Sequence, residues 1–133
     1  MVSRLNRPSS SNKPGAPVAR KSGLAGEAAA AEFLEGKGMR ILERNFRYRR
    51  GEVDIIALDK ETLVFAEVKT WSKYGIDALE QAINDKKQRK IVETSKYFLS
   101  LNRKYMYMAT RFDVIFISPH GITHLASAFT ESV

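Results

Sequence analysis

The chain contains no cysteine. Disulfides and thiolate chemistry are therefore excluded, and a reducing compartment is compatible with the composition. Long apolar runs are missing too. None approaches the roughly 18–20 residues that cross a bilayer, so the expectation is a cytoplasmic protein without a membrane partner. Histidine is scarce: His120 and His124 lie in or beside one turn with no third partner, and read as surface residues rather than metal ligands. The glycines form neither G-x-G-x-x-G nor G-x(4)-G-K-[ST], so no phosphate-cradling loop is present. Acid is missing from residues 1–21, which hold Arg4, Arg7, Lys13, Arg20 and Lys21. That stretch is rich in Ser, Pro, Asn and Gly, lacks the apolar segment of a secretory signal, and reads as a disordered basic tail. Its three prolines argue against an amphipathic organellar presequence.

What is present is ordinary for a single soluble domain. Of 133 residues, 44% are hydrophobic and 28% charged, enough for one core over residues 22–133. The net charge is +7 and the isoelectric point about 9.8. The tail carries +5 of this, leaving +2 for the folded part. A basic excess suggests a polyanion, nucleic acid above all. A solvated surface with a basic leader accounts for the charge equally well.

Along the chain, "SGLAGEAAAAEFLEGKG" reads as a helix capped by Ser22 and stopped by Gly36 and Gly38, with Leu24, Ala28, Ala31 and Leu34 or Glu35 on its apolar stripe. Glu27 lies one residue before that stripe. "MRILERNFRYRRG" is a strand in which Phe46 and Tyr48 alternate with Asn45, Arg47 and Arg49. "EVDIIALD" and "TLVFAEVKT" are strands about a turn at 59–62. The second is apolar on both faces early on, which predicts a central, doubly covered strand. A long helix is expected from about Asp77 to Leu101, its core face marked by Leu79, Ile83, Ile91 and Phe98. Two closing strands, "TRFDVIFIS" and "GITHLASAF", are joined by Pro119-His120-Gly121. A helix between the third and fourth strands predicts a crossover, and hence a mixed sheet with helices on both faces.

Three charges interrupt the two strand runs: Asp54, Glu67 and Lys69. Burial of charge is costly unless something binds it. A hairpin about residues 59–62 brings Asp54 opposite Glu67 within a residue or so, and the period of two puts Lys69 on the face of Glu67. Adjacent carboxylates repel each other unless a cation sits between them. Oxygen ligands of this kind suit Mg²⁺, which takes one or two protein carboxylates and keeps several waters. A neighbouring ammonium can orient water and steady charge on a phosphate. Taken alone, D-x(12)-E-x-K also fits a cross-strand ion pair.

"GLAGEAAAAEFLEGKGMRILERNFR", "GEVDIIALD…LVFAEVKT" and "RFDVIFIS" together resemble the YraN family of small bacterial proteins. That family belongs by similarity to the PD-(D/E)xK nuclease superfamily, near the archaeal Holliday junction resolvases. The resemblance runs from about Gly23 to Phe129. It implies an α/β fold with a restriction-endonuclease-like αβββαβ core. It also puts the superfamily's acidic and basic positions on Asp54, Glu67 and Lys69, and matches Glu27 to a first-helix glutamate that completes or supports the metal site. Two departures stand out. Val53 replaces the proline of the superfamily's name, and Trp71 replaces the arginine usual after "VKT". Trp71 either stacks on a splayed base or covers the sheet edge.

The function expected is thus a Mg²⁺-dependent endonuclease, with Mn²⁺ substituting, acting on branched or structured DNA in repair or recombination. Asp54, Glu67 and Glu27 would hold the metal, and Lys69 would position the attacking water. Candidate DNA contacts are Arg44, Asn45, Arg47, Arg49, Trp71, Gln81, Lys86, Lys87, Arg89 and Lys90, with the resemblance favouring Arg44 and Asn45. Solvated faces account for the charged ones nearly as well. A two-fold-symmetric substrate would call for a homodimer. The alternative is a binding module for nucleic acid or a partner protein that keeps the fold without the chemistry.

Overall fold

Alternating faces explain the architecture. The computed structural model describes residues 18–70 and 83–131, the side chains of 18–24 excepted. Helix α1 spans Val18–Gly36, followed by strands β1 (Arg40–Tyr48), β2 (Gly51–Asp59) and β3 (Thr62–Thr70). Helix α2 spans Asp85–Leu101, and β4 (Ala109–Ser118) and β5 (Gly121–Phe129) close the chain. The five strands form one sheet in sequence order. Only β3 and β4 pair in parallel; the other three neighbours are antiparallel. Among the described residues this is the expected α/β architecture: a mixed sheet with one α-helix on each face, consistent with a restriction-endonuclease-like core. No helix among the described residues is long and apolar enough to cross a membrane.

The period of two sorts the core. Ile55, Ala57, Val64, Ala66 and Ile115 pack on one face against Ala30, Ala31 and Leu34 of α1. Ile56, Leu63, Phe65 and Phe112 pack on the other against Ile91 and Phe98 of α2. Phe98 meets Phe46 and Phe65 edge to face, at centroid distances of 5.3 and 6.0 Å. As expected for a central strand, Leu63 through Ala66 are at most 1% exposed.

The helix boundaries differ from the sequence reading. α1 begins at Val18, so Ser22 lies inside it rather than capping it. Its buried stripe is Ala30, Ala31 and Leu34, and Ala28 is exposed. Counting back by 3.6, Glu27 falls on this buried stripe, not beside it. α2 begins at Asp85, because the Asn84 side chain accepts a hydrogen bond from Lys87 N (2.9 Å) and caps the helix there; the part of the expected helix at 77–82 lies outside the described residues. Trp71, Leu79 and Gln81 lie outside the described residues. At the start of β2, Gly51 is required by close approach: a methyl group there would overlap Thr94 Oγ1 and crowd the Lys90 carbonyl of α2.

His124 is not a surface residue. Its ring is 5% exposed and sits between Asp113 and Lys37. Lys37 can only donate, so Nδ1 accepts (2.8 Å), and Nε2 donates to Asp113 Oδ2 (2.7 Å). Asp113 is fully buried. It also accepts two bonds from Arg111 and one from Ser127 N, where β5 bulges and Ser127 takes a φ of 55°. Arg111 reaches on to Asp59 of β2 (3.0 Å). Burial works against the Asp113 carboxylate, but these donors outweigh it and hold its pKa below the ordinary range. The network is satisfied and ties β5 to the sheet.

Candidate active site

The site starts where a ladder stops. The β2–β3 pairing ends at Ile55↔Ala66, while β3 stays paired to β4 as far as Thr70↔Ile117, and β2 stays paired to β1 from Gly51. The next register position past Ile55↔Ala66 sets Asp54 beside Glu67. There the Asp54 side chain takes over the bonding: Oδ2 accepts from Val68 N at 2.8 Å. Two carboxylates of adjacent strands thus meet in a notch at one sheet end, as the register argument anticipates.

Both are buried, Asp54 to 8% and Glu67 to 5% exposure. Burial, and then the negative charge of Glu67, push the Asp54 carboxyl up to about 8; the Val68 bond opposes the shift, and Glu27 and Glu52 add to it. Lys69 is 3.8 Å from Glu67 Oε2, on the face expected. The closer cation is Lys87 of α2, 2.8 Å from the same oxygen. Burial, and next the adjacent Lys87, lower the Lys69 pKa. Burial also pulls on Lys87, but its hydrogen bond to Glu67 prevails and its pKa is raised.

Glu27 of α1 lies within electrostatic reach of the notch. Burial raises its pKa, against a hydrogen bond from Asn45, and the charges of Glu52 and Glu67 act on it too. Its Oε1 is buried without a hydrogen-bond partner. Asn45 holds a left-handed backbone, φ 56°, and spends its side chain on Glu27, so it supports the site.

An open cleft of about 410 Å³ lies between the notch and α2. Glu52, Asp54 and Glu67 form its acidic floor, and Lys86, Lys87 and Lys90 its basic wall, with Arg50 at the β1–β2 turn. Of the expected contacts, Lys86, Lys87 and Lys90 thus gather here. The other described ones lie outside the cleft lining. Arg89 is exposed outside the cleft lining, Arg47 leans on Glu52 (3.4 Å), and Arg49 lies 5.1 Å over the Tyr48 ring. Arg44 acts on Glu27 through its charge. The sequence reading missed Arg50 and Glu52 as cleft residues. The two-residue turn that places them, Arg49-Arg50 before the obligatory Gly51, was the available signal.

The donor set fits magnesium. Among the described residues no three His, Cys, Asp or Glu side chains form a ready cage. Magnesium needs none, since it takes one or two carboxylates and keeps its waters. The unpartnered Glu27 oxygen and the strongly raised Asp54 pKa are both features that a cation would relieve.

Comparison with known proteins agrees with the resemblance. Residues 26–117 match the profile described as Uncharacterised protein family UPF0102. A UPF0102 protein of Treponema denticola is 47% identical over 123 residues, covering 82% of this chain and 95% of its own. One from Persephonella marina is 45% identical over 107 residues, covering 80% and 91%. A third, from Treponema pallidum, is 41% identical over 118 residues, covering 84% and 94%. With most of its length under that profile and relatives this similar over four-fifths of it, the chain belongs to the UPF0102 family, also called the YraN family.

Proposed function

We propose that this protein is a magnesium-dependent endonuclease that hydrolyses phosphodiester bonds in branched or structured DNA. One observation carries the reading: buried carboxylates of adjacent strands meet beside two ammonium groups, at the floor of a cleft walled by basic residues. A charged partner for the wall and a cation for the floor are both called for, and a metal-assisted reaction on a phosphodiester supplies both.

Asp54 and Glu67 would hold the metal, with Glu27 completing the shell from α1. A bound magnesium ion would activate water and neutralise charge on the phosphate. The chain's own groups do the rest. Lys69, whose pKa is lowered by burial, is placed to hold or move a proton of the attacking water. Lys86, Lys90 and Arg50 are placed to meet backbone phosphates, which positions the strand without reading its sequence. The apolar strands beneath exclude water from the carboxylates on one side.

The test is a substrate panel. Wild type is incubated with four-way junction, flap, single-stranded and duplex DNA in Mg²⁺ or Mn²⁺, beside Asp54→Ala and Lys69→Ala. Cleavage of at least one structured substrate by wild type alone supports the reading; no cleavage at high enzyme contradicts it. A second reading, a DNA-binding module without chemistry, draws on the ion pair that Lys87 already makes with Glu67. DNA affinity indifferent to metal and to Glu67→Ala would favour it.

A further inference from the structure

Lys87 stands where the metal reading needs room. Its ammonium is 2.8 Å from Glu67 Oε2, an ångström nearer than that of Lys69. Glu67 is almost sealed, its side chain 6% exposed, whereas the Lys87 side chain is 36% exposed. One partner is fixed and the other has solvent to move into.

The helix gives Lys87 no reason to be a lysine. It is the third residue after the Asn84 cap, in the first turn of α2. Cations there oppose the helix macrodipole, and the favoured residue at this position is glutamate or glutamine, which completes a capping box. The pairing with Glu67 offsets that penalty. It also occupies the open side of that carboxylate oxygen, and a divalent ion brought to the same oxygen is repelled by the ammonium already there.

We propose that Lys87 is a displaceable internal counter-ion: it holds Glu67 in place until a divalent cation takes that oxygen, and it is then released into the cleft. This rests on the metal site proposed above. The pair keeps the buried carboxylate compensated when no metal is bound, and sets a threshold that the metal must exceed. Lys86 and Lys90 line the same cleft, yet no contact of theirs with Glu67 is seen.

The test is calorimetric titration with Mn²⁺ in the absence of DNA, on wild type, Lys87→Gln, Lys90→Gln and Glu67→Gln. If binding must break the pair, Lys87→Gln binds Mn²⁺ about five- to thirtyfold tighter than wild type. Lys90→Gln shifts the affinity less than about twofold, and Glu67→Gln loses the site. Equal or weaker binding by Lys87→Gln overturns the proposal. Equal tightening in Lys90→Gln does so as well, since it would reveal a general charge effect. No saturable binding by any of the four removes the metal site and this proposal with it, so the two failures are told apart. A second readout needs no variant: on wild type, acylation of the Lys87 amine, followed by mass spectrometry, rises on adding saturating Mn²⁺. Unchanged Lys87 reactivity with Mn²⁺ bound overturns the proposal.

Discussion

Replacing Asp54 by asparagine removes a proposed metal ligand and, by the same physics, stabilises the fold. The carboxyl is pushed from an ordinary 3.8 to about 8, by burial first and by Glu67 second. A raised acid pKa means that the folded state holds a proton which the unfolded state releases. Its stabilising effect is therefore complete below about pH 3.8, falls as pH climbs through the window up to about 8, and is level above it. At about 1.4 kcal/mol per pH unit, the deficit at pH 7 is at most about 4 kcal/mol. Asparagine carries no charge to desolvate, and its Oδ1 can still accept from Val68 N. It must itself be buried, so a net gain of about 1–3 kcal/mol at pH 7 is expected. Urea unfolding of wild type and Asp54→Asn in chelator, from pH 5 to 9, measures it. The variant should lead by a margin that widens to about pH 8 and then stops growing. Saturating Mn²⁺ should narrow or reverse the order, since a ligand at a hundred times its Kd adds about 2.7 kcal/mol to the form that binds it. A variant less stable than wild type throughout, or ahead by a margin indifferent to pH, would refute the reasoning.

Other expectations follow from single residues. Lys69→Ala and Glu67→Ala should each lower cleavage by about a hundredfold or more, the size of effect of losing a proton-transfer or charge-stabilising group, with circular dichroism unchanged. Lys90→Gln should weaken DNA binding evenly across sequences and reduce the slope of log K against log salt by about one, measured by fluorescence anisotropy. Asp113→Ala should cost about 3–5 kcal/mol in urea unfolding, because it takes two of the three bonds from Arg111 and leaves His124 Nε2 and Ser127 N without their acceptor. Wild type should also lose the Asp113 contribution as pH falls below about 3.8 through its lowered pKa, a limb the variant lacks. Gly51→Ala should cost about 1–3 kcal/mol, since Thr94 Oγ1 is pinned by its own bond to Lys90 O (2.8 Å) and cannot yield.

Local periodicity carried the sheet. The alternation in "EVDIIALD" and "TLVFAEVKT", with one turn between, was enough to place Asp54 beside Glu67 and to make β3 central. Contacts between distant elements carry no such period. That Lys87 reaches Glu67 depends on how α2 lies over β3. His124 was read as exposed because nothing near it in sequence shows that β5 bulges over Asp113 and that Lys37 arrives from the end of α1. The α2 start depended on a single capping asparagine in a polar, helix-compatible stretch. The stripe of α1 is one residue off in the sequence reading: the spacing i, i+3, i+4, i+7 that joins Glu27 to Ala30, Ala31 and Leu34 is there, but the alanines at 28–31 do not say which of them is buried.

The most direct measurement is a crystal soaked in Mn²⁺ and read by its anomalous scattering. The account predicts a peak in the notch between β2 and β3, within about 2.0–2.6 Å of a carboxylate oxygen of both Asp54 and Glu67. A peak elsewhere, or none at millimolar Mn²⁺ with those two side chains unmoved, would contradict it.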